Sequence, residues 1–139
     1  MPVVVEKTYP VSASRLWNAL TVNEEMKQWY FELAEFRPEP GFEFEFWAGD
    51  DKKKWLHKCR VTTVIPLSVI AYTWRYEGYP GNSEVKFELL PDGQGQTMLR
   101  ITHTGLETFP QDVPELQTHN FEFGWKQFAE QELSEYLGK

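Results

Sequence analysis

The chain has a single cysteine in 139 residues. No internal disulfide can form, and thiolates cannot assemble a zinc knuckle. A reducing compartment fits such a chain, and the cytoplasm is the expected location. Basic residues are also scarce: 14 Lys and Arg stand against 21 Asp and Glu, a formal net charge of −7. That balance argues against nucleic acid and anionic membrane surfaces as partners, because phosphate binding needs a basic face. No apolar run approaches membrane-spanning length, so no integral membrane contact is expected. Met1-Pro2-Val3-Val4-Val5-Glu6 lacks a charged region followed by a long apolar run, and does not read as a signal peptide. A phosphate-cradling glycine loop is missing too, since Gly93-Gln94-Gly95 precedes no helix start. There is no internal repeat, low-complexity tract or linker, and one domain over residues 1–139 is expected.

Aromatic residues are what the chain has in excess. They make up 16% of the sequence, with 6 Trp, while hydrophobic (41%) and charged (25%) contents are ordinary for a globular protein. The C-terminal stretch carries them at helical spacing. Leu116, Phe121, Trp125, Phe128, Ala129 and Tyr136 form one stripe of a single long helix expected over Asp112 to Leu137. Asp112 with Glu115 three residues on resembles a capping box, and Pro114 is tolerated in a first turn.

The rest of the chain reads mostly as strands. Val3 to Tyr9 is a β-branched run ended by Pro10. Ser12 is a good N-cap for a short helix bearing Leu16, Trp17 and Leu20, and Thr21 with Glu24 predicts a cap for a second, bearing Met26, Trp29 and Tyr30. After the connector Phe36–Pro40, Phe42-Glu43-Phe44-Glu45-Phe46 alternates strictly, as a strand with one wet face does. Gly49-Asp50-Asp51-Lys52-Lys53-Lys54 is a polar turn, its lysines most simply a solvated loop tip. Trp55 to Ile65 follows, with Trp55, His57, Cys59, Val61, Thr63 and Ile65 on one face. Val69 to Tyr76 places Ile70, Tyr72, Trp74 and Tyr76 together. Val85, Phe87 and Leu89 alternate with acids and Lys86; Pro91-Asp92-Gly93-Gln94-Gly95 signals a hairpin; and Leu99, Ile101 and His103 share a face of the last strand. The order is strand, two helices, about six strands in succession, then the long helix. Short turns imply antiparallel pairing, and the class is α+β.

These elements resemble a known family over nearly the whole chain. Ser14 to Thr21, Trp29-Tyr30, Pro40 to Phe44, Val61 to Pro66, Tyr72-Thr73-Trp74, Val85 to Leu89, Thr97 to Leu99, His103 to Leu106 and Gly124-Trp125 carry the likeness by their order and spacing. They are similar to the START-like (SRPBCC) superfamily, and within it to the subgroup named after the activator of the ATPase of the ninety-kilodalton heat-shock chaperone. Two positions depart from the pattern: Pro66-Leu67 stands where two prolines are common, and Cys59 where a glycine is common, which would narrow any cavity. The resemblance implies a helix-grip fold: a curved antiparallel sheet wrapping the C-terminal helix, with two short helices after strand one. It also implies a lipophilic ligand between helix and sheet.

On that expectation the inward wall holds Phe44, Tyr72, Trp74, Phe87 and Ile101 from the strands and Phe121, Trp125 and Phe128 from the helix, with His57, Cys59 and His103 beside them. An apolar cavity with a few polar groups is the usual small-ligand site, although aromatic stripes also pack as solid core. His103 or His57, with Tyr72 or Tyr76, would fix a polar end of the ligand. A catalytic histidine needs an orienting carboxylate, and none shares those strand faces. His57 and Cys59 lack a third metal ligand, as do His119 and Glu122. Cys59 inside a strand reads as a small hydrophobe rather than a nucleophile. Glu43 and Glu45 oppose a Phe face and so should meet water, not a glycosidic bond. No metal and no cofactor are expected. Three functions stay open: a non-enzymatic binder of a small lipophilic molecule, a protein-interaction module or homodimer, and a cavity enzyme of cyclase or hydrolase type.

Overall fold

A computed structural model describes residues 2–49 and 53–138. Its order is β1 (Val3–Tyr9), α1 (Ala13–Thr21), α2 (Asn23–Trp29), β2 (Glu43–Gly49), β3 (Lys54–Ile65), β4 (Val69–Tyr76), β5 (Ser83–Pro91), β6 (Thr97–Thr104) and a C-terminal helix. Among the described residues five strands, rather than about six, follow the helices. All six described strands form one curved antiparallel sheet in the order β1-β6-β5-β4-β3-β2. The five later strands are a simple meander, as short turns require, and β1 closes onto β6 with Val3 opposite His103 and Tyr9 opposite Thr97. Period-two patterning decides which face is dry. Phe44 and Phe46, and by alternate residues Ile70 to Tyr76, Val85 to Leu89 and Leu99 to His103, are all buried.

The alternation breaks in β3. A register shift between Val61 and Thr63 puts an extra residue into β3 against β4. Thr63 is exposed and Ile65 is 52% exposed, while Val64 turns toward the core, so the expected inward face of this strand ends at Val61. The Asp50-Asp51-Lys52 part of the polar turn lies outside the described residues.

Ser12 caps α1 as its sequence predicts, its Oγ accepting from Arg15 N at 3.1 Å. Thr21 does not cap α2. It is the last residue of α1, and its hydroxyl donates back to the Trp17 carbonyl at 2.7 Å, which leaves Val22 as an N-cap without a side-chain bond. Trp29 Nε1 donates to the Ala19 carbonyl at 2.8 Å and ties the two helices together.

The C-terminal helix starts later than Asp112. Pro114–Leu116 is a separate 3₁₀ turn, and the helix proper runs from Thr118 in three segments over 20 residues. These are α3 (Thr118–Gln127), a π-turn (Phe128–Glu132) and α4 (Leu133–Leu137). The Asp112–Glu115 pair therefore caps nothing; Gln117 is the N-cap and makes no side-chain bond to the helix. A tertiary contact accompanies the π-turn. The Tyr9 hydroxyl donates to the Ala129 carbonyl at 2.5 Å, taking the acceptor that an α-turn would use. Beyond it, Glu25 accepts from Arg15 at 2.5 Å and from the Tyr136 hydroxyl at 2.9 Å, fastening α4 to α1 and α2.

Candidate functional site

Between the C-terminal helix and the open end of the sheet lie two adjoining clefts. The first, about 170 Å³, is lined by Phe31, Trp74, Tyr76, Glu115, Asn120, Phe121, Gly124, Trp125 and Phe128. The second, about 300 Å³, is lined by Phe31, Ala48, Gly49, Trp55, His57, Tyr76, Glu115 and Leu116. They share Phe31, Tyr76 and Glu115, so those three residues form the partition and rim between them.

Four rings of the first cleft touch in a closed circuit. Centroid separations are 6.1 Å from Phe31 to Trp74, 5.5 Å from Trp74 to Trp125, 5.9 Å from Trp125 to Phe128 and 5.2 Å from Phe128 back to Phe31. Their planes meet at 45° to 77°, a concave corner rather than a flat stack. Gly124 leaves the helix side open: a Cβ built there meets nothing within 4 Å. A glycine inside a helix costs roughly 0.5–1 kcal/mol against alanine, so the gap comes at some expense to stability.

The histidines differ from expectation. His103 is 0% exposed and both of its nitrogens are engaged. Trp125 Nε1, which can only donate, lies 2.9 Å from His103 Nδ1, so that nitrogen is the acceptor. The proton is then on Nε2 and is given to Ser83 Oγ at 2.8 Å, while the Ser83 hydroxyl donates to the Trp74 carbonyl at 2.8 Å. Burial lowers the His103 pKa to about 3. This is a satisfied core histidine, paired with Ser83 and Trp125 and not with a tyrosine. His57 lines the second cleft, stacked on Phe46 at 4.5 Å, with Nδ1 donating to the Trp55 carbonyl at 3.0 Å. Burial lowers its pKa to about 4 against the opposing pull of the Trp55 and Phe46 carbonyls, so it too is neutral near pH 7.

The remaining candidates divide cleanly. Trp74, Phe121, Trp125 and Phe128 line the first cleft and His57 the second. Tyr72, Phe87, Ile101 and His103 border neither and are packed core, Tyr72 sharing a 2.6 Å hydrogen bond with the Tyr30 hydroxyl. Phe44 and Cys59 border a different groove, about 520 Å³, whose other walls include Glu43, Glu45, Lys58 and Arg60. The Cys59 thiol is pushed well up by burial, as befits a small hydrophobe and not a nucleophile. Sequence reasoning missed Phe31, Tyr76 as a rim residue, Glu115 and Asn120. Gly124 did carry a signal, a lone glycine in a helical pattern. Among the described residues no three His, Cys, Asp or Glu side chains are grouped to hold a metal, and no helix is long and apolar enough to cross a membrane.

Comparison with known proteins agrees with this architecture. Protein MLL2253 from Mesorhizobium loti is 29% identical over 99% of this chain and 97% of its own, with a TM-score of 0.82. An Hsp90 activator from Plasmodium falciparum is 20% identical over 99% of this chain and 96% of its own, with a TM-score of 0.74. DynU16, from the dynemicin biosynthetic locus, is 21% identical over 99% of this chain but only 47% of its own, with a TM-score of 0.77. At the identities of these last two the likeness speaks for the fold alone. No curated protein matches the chain. The sequence model of one family, described as activator of Hsp90 ATPase homolog 1-like protein, matches residues 10–138. With nearly the whole chain covered and the helix-grip architecture in place, the protein belongs to the activator of Hsp90 ATPase homolog 1-like family, a branch of the START-like superfamily.

Proposed function

We propose that the protein is a non-enzymatic binder of a small lipophilic molecule, held in the paired clefts between the C-terminal helix and the sheet. The supporting observation is the gap that Gly124 leaves beside the closed circuit of Phe31, Trp74, Trp125 and Phe128. Burial of apolar surface there would drive binding at roughly 25 cal/mol per Å², less the cost of association. The first cleft alone is smaller than the roughly 300–1,000 Å³ of a drug-sized site, so the ligand would extend past Phe31 into the second.

Contact with a chaperone or another protein is the second reading. The family membership favours it, and so do two large exposed rings, Trp47 at 67% and Phe123 at 72%.

Native mass spectrometry of freshly purified protein separates the two. The binder reading expects a lipophilic adduct that disappears in Gly124→Leu, whose side chain would fill the open space while favouring the helix. An adduct that survives Gly124→Leu would place the ligand elsewhere. A clean apo mass, with no uptake of hydrophobic probes, would favour the interaction module.

A further inference from the structure

We propose that the cleft selects a hydrophobic cation, a quaternary or protonated amine on an apolar body, over a neutral or carboxylate-bearing molecule of the same shape. The proposal rests on the ligand-binding reading above and adds the chemical class of the ligand.

Charge and ring geometry both point this way. Among the described residues, Glu115 carries the only formal charge in the lining of either cleft, and it borders both. It stands on the exposed 3₁₀ turn before the helix and has no ion-pair partner among the described residues. His57, the other titratable group on the wall with a basic form, is neutral near pH 7. Among the described lining residues a carboxylate ligand would thus meet one like charge and no opposite one, Lys53 being engaged on the Trp55 ring. An ammonium would meet one opposite charge beside aromatic walls.

The walls suit it. Aromatic faces attract cations through the ring quadrupole, most strongly when the site is desolvated, and several inclined rings around one centre are the geometry that recognises quaternary ammonium groups. Phe31, Trp74, Trp125 and Phe128 all line the first cleft and offer inclined rings to it, each 5.2 to 6.1 Å from the next and none coplanar. At about 170 Å³ it has the scale of a head group rather than of a whole lipid, and the second cleft continues from it for the apolar body. The adjacent wall already shows the same chemistry: Lys53 Nζ lies 4.1 Å from the Trp55 ring centroid and 5.5 Å from that of Tyr79. The protein's overall charge of −7 adds a field of the same sign.

The test is isothermal titration calorimetry with three compounds on one naphthylmethyl body: a trimethylammonium, its neutral tert-butyl isostere and a carboxylate. The ammonium should bind roughly tenfold more tightly than the tert-butyl compound, and the carboxylate more weakly than either. In Glu115→Gln, with an unchanged Tm as control, the cation's margin should fall to about threefold or less, the remainder belonging to the rings. A tert-butyl compound or carboxylate that binds as well as the ammonium would overturn the charge selectivity and leave the lipophilic binder standing. No uptake of any of the three would overturn both. A margin unchanged in Glu115→Gln would remove Glu115 from the assignment.

Discussion

Trp125 separates two unlike halves of the interior. Its indole nitrogen faces a closed region where His103, Ser83 and the Trp74 carbonyl complete a hydrogen-bonded chain with no exposed surface at the histidine. Its ring faces an open region, where Phe31 and Phe128 are only half-buried and Gly124 leaves empty space. Both halves are built from aromatics, and both were candidates for the same pocket. The difference lies in how polar atoms are treated. In the closed half every donor finds a fixed acceptor, so a ligand could enter only by breaking a satisfied network. In the open half Glu115 and Asn120 stand at the rim, and the one buried indole donor of the wall, Trp74 Nε1, is met by the Tyr76 hydroxyl at 2.8 Å without closing the cleft. Aromatic content marks an interior; the state of its polar atoms marks whether that interior is full.

The strongest way to break this contrast is Trp125→Ala, which removes the wall common to both halves. It should cost about 3–5 kcal/mol by denaturant unfolding. Trp125→Phe sharpens the comparison instead. It keeps a ring in the cleft but orphans His103 Nδ1, and should cost about 1–3 kcal/mol with hydrophobic-probe uptake retained.

Acid should act next, on the histidines of both halves. Each has a folded pKa below its unfolded value, about 3 for His103 and about 4 for His57 against 6.5. The unfolded chain therefore binds protons first as pH falls. Stability that is fully present above pH 6.5 is lost progressively toward pH 3 to 4, by about 2 kcal/mol per histidine at pH 5. The slope of unfolding free energy against pH should flatten in His57→Gln and in His103→Gln. The His103 contribution should persist to lower pH because its site is drier.

The smallest expected change is in the open half. Gly124→Ala should raise stability by about 0.5–1 kcal/mol, seen as a Tm increase, since no neighbour opposes the added methyl. A destabilised Gly124→Ala would mean that the space beside the helix is already taken.

The sheet was legible because strand alternation and turn chemistry are local. Glu43 to Phe46, Val85 to Leu89 and the Asp92-Gly93 turn each declare themselves within a few residues. The bulge that turns Thr63 and Ile65 outward was not, because it depends on how β3 meets β4. The packed half of the wall was named correctly as inward, yet alternation cannot separate a wall residue from a core residue. Tyr72, Phe87 and Ile101 read the same as Trp74. The rim was hidden for another reason. Glu115 matches a helix-capping pattern, and Phe31 falls in a connector with no periodicity to place it. The break in helix geometry was invisible as well, since the residue that contacts it, Tyr9, lies 120 residues away in sequence.

That break has a consequence for alignment along the helix. Phe121, Trp125, Ala129 and Leu133 are all buried, each four residues after the last. In an ideal α-helix a four-residue step overshoots one turn by about 40°, so three steps would carry Leu133 about 120° round the axis from Phe121. A wider π-turn takes up part of that overshoot and straightens the seam. The Tyr9 hydroxyl thus works like a stitch: it lets a single line of side chains face a single sheet from end to end, and it brings Tyr136 within reach of Glu25 instead of swinging it into solvent.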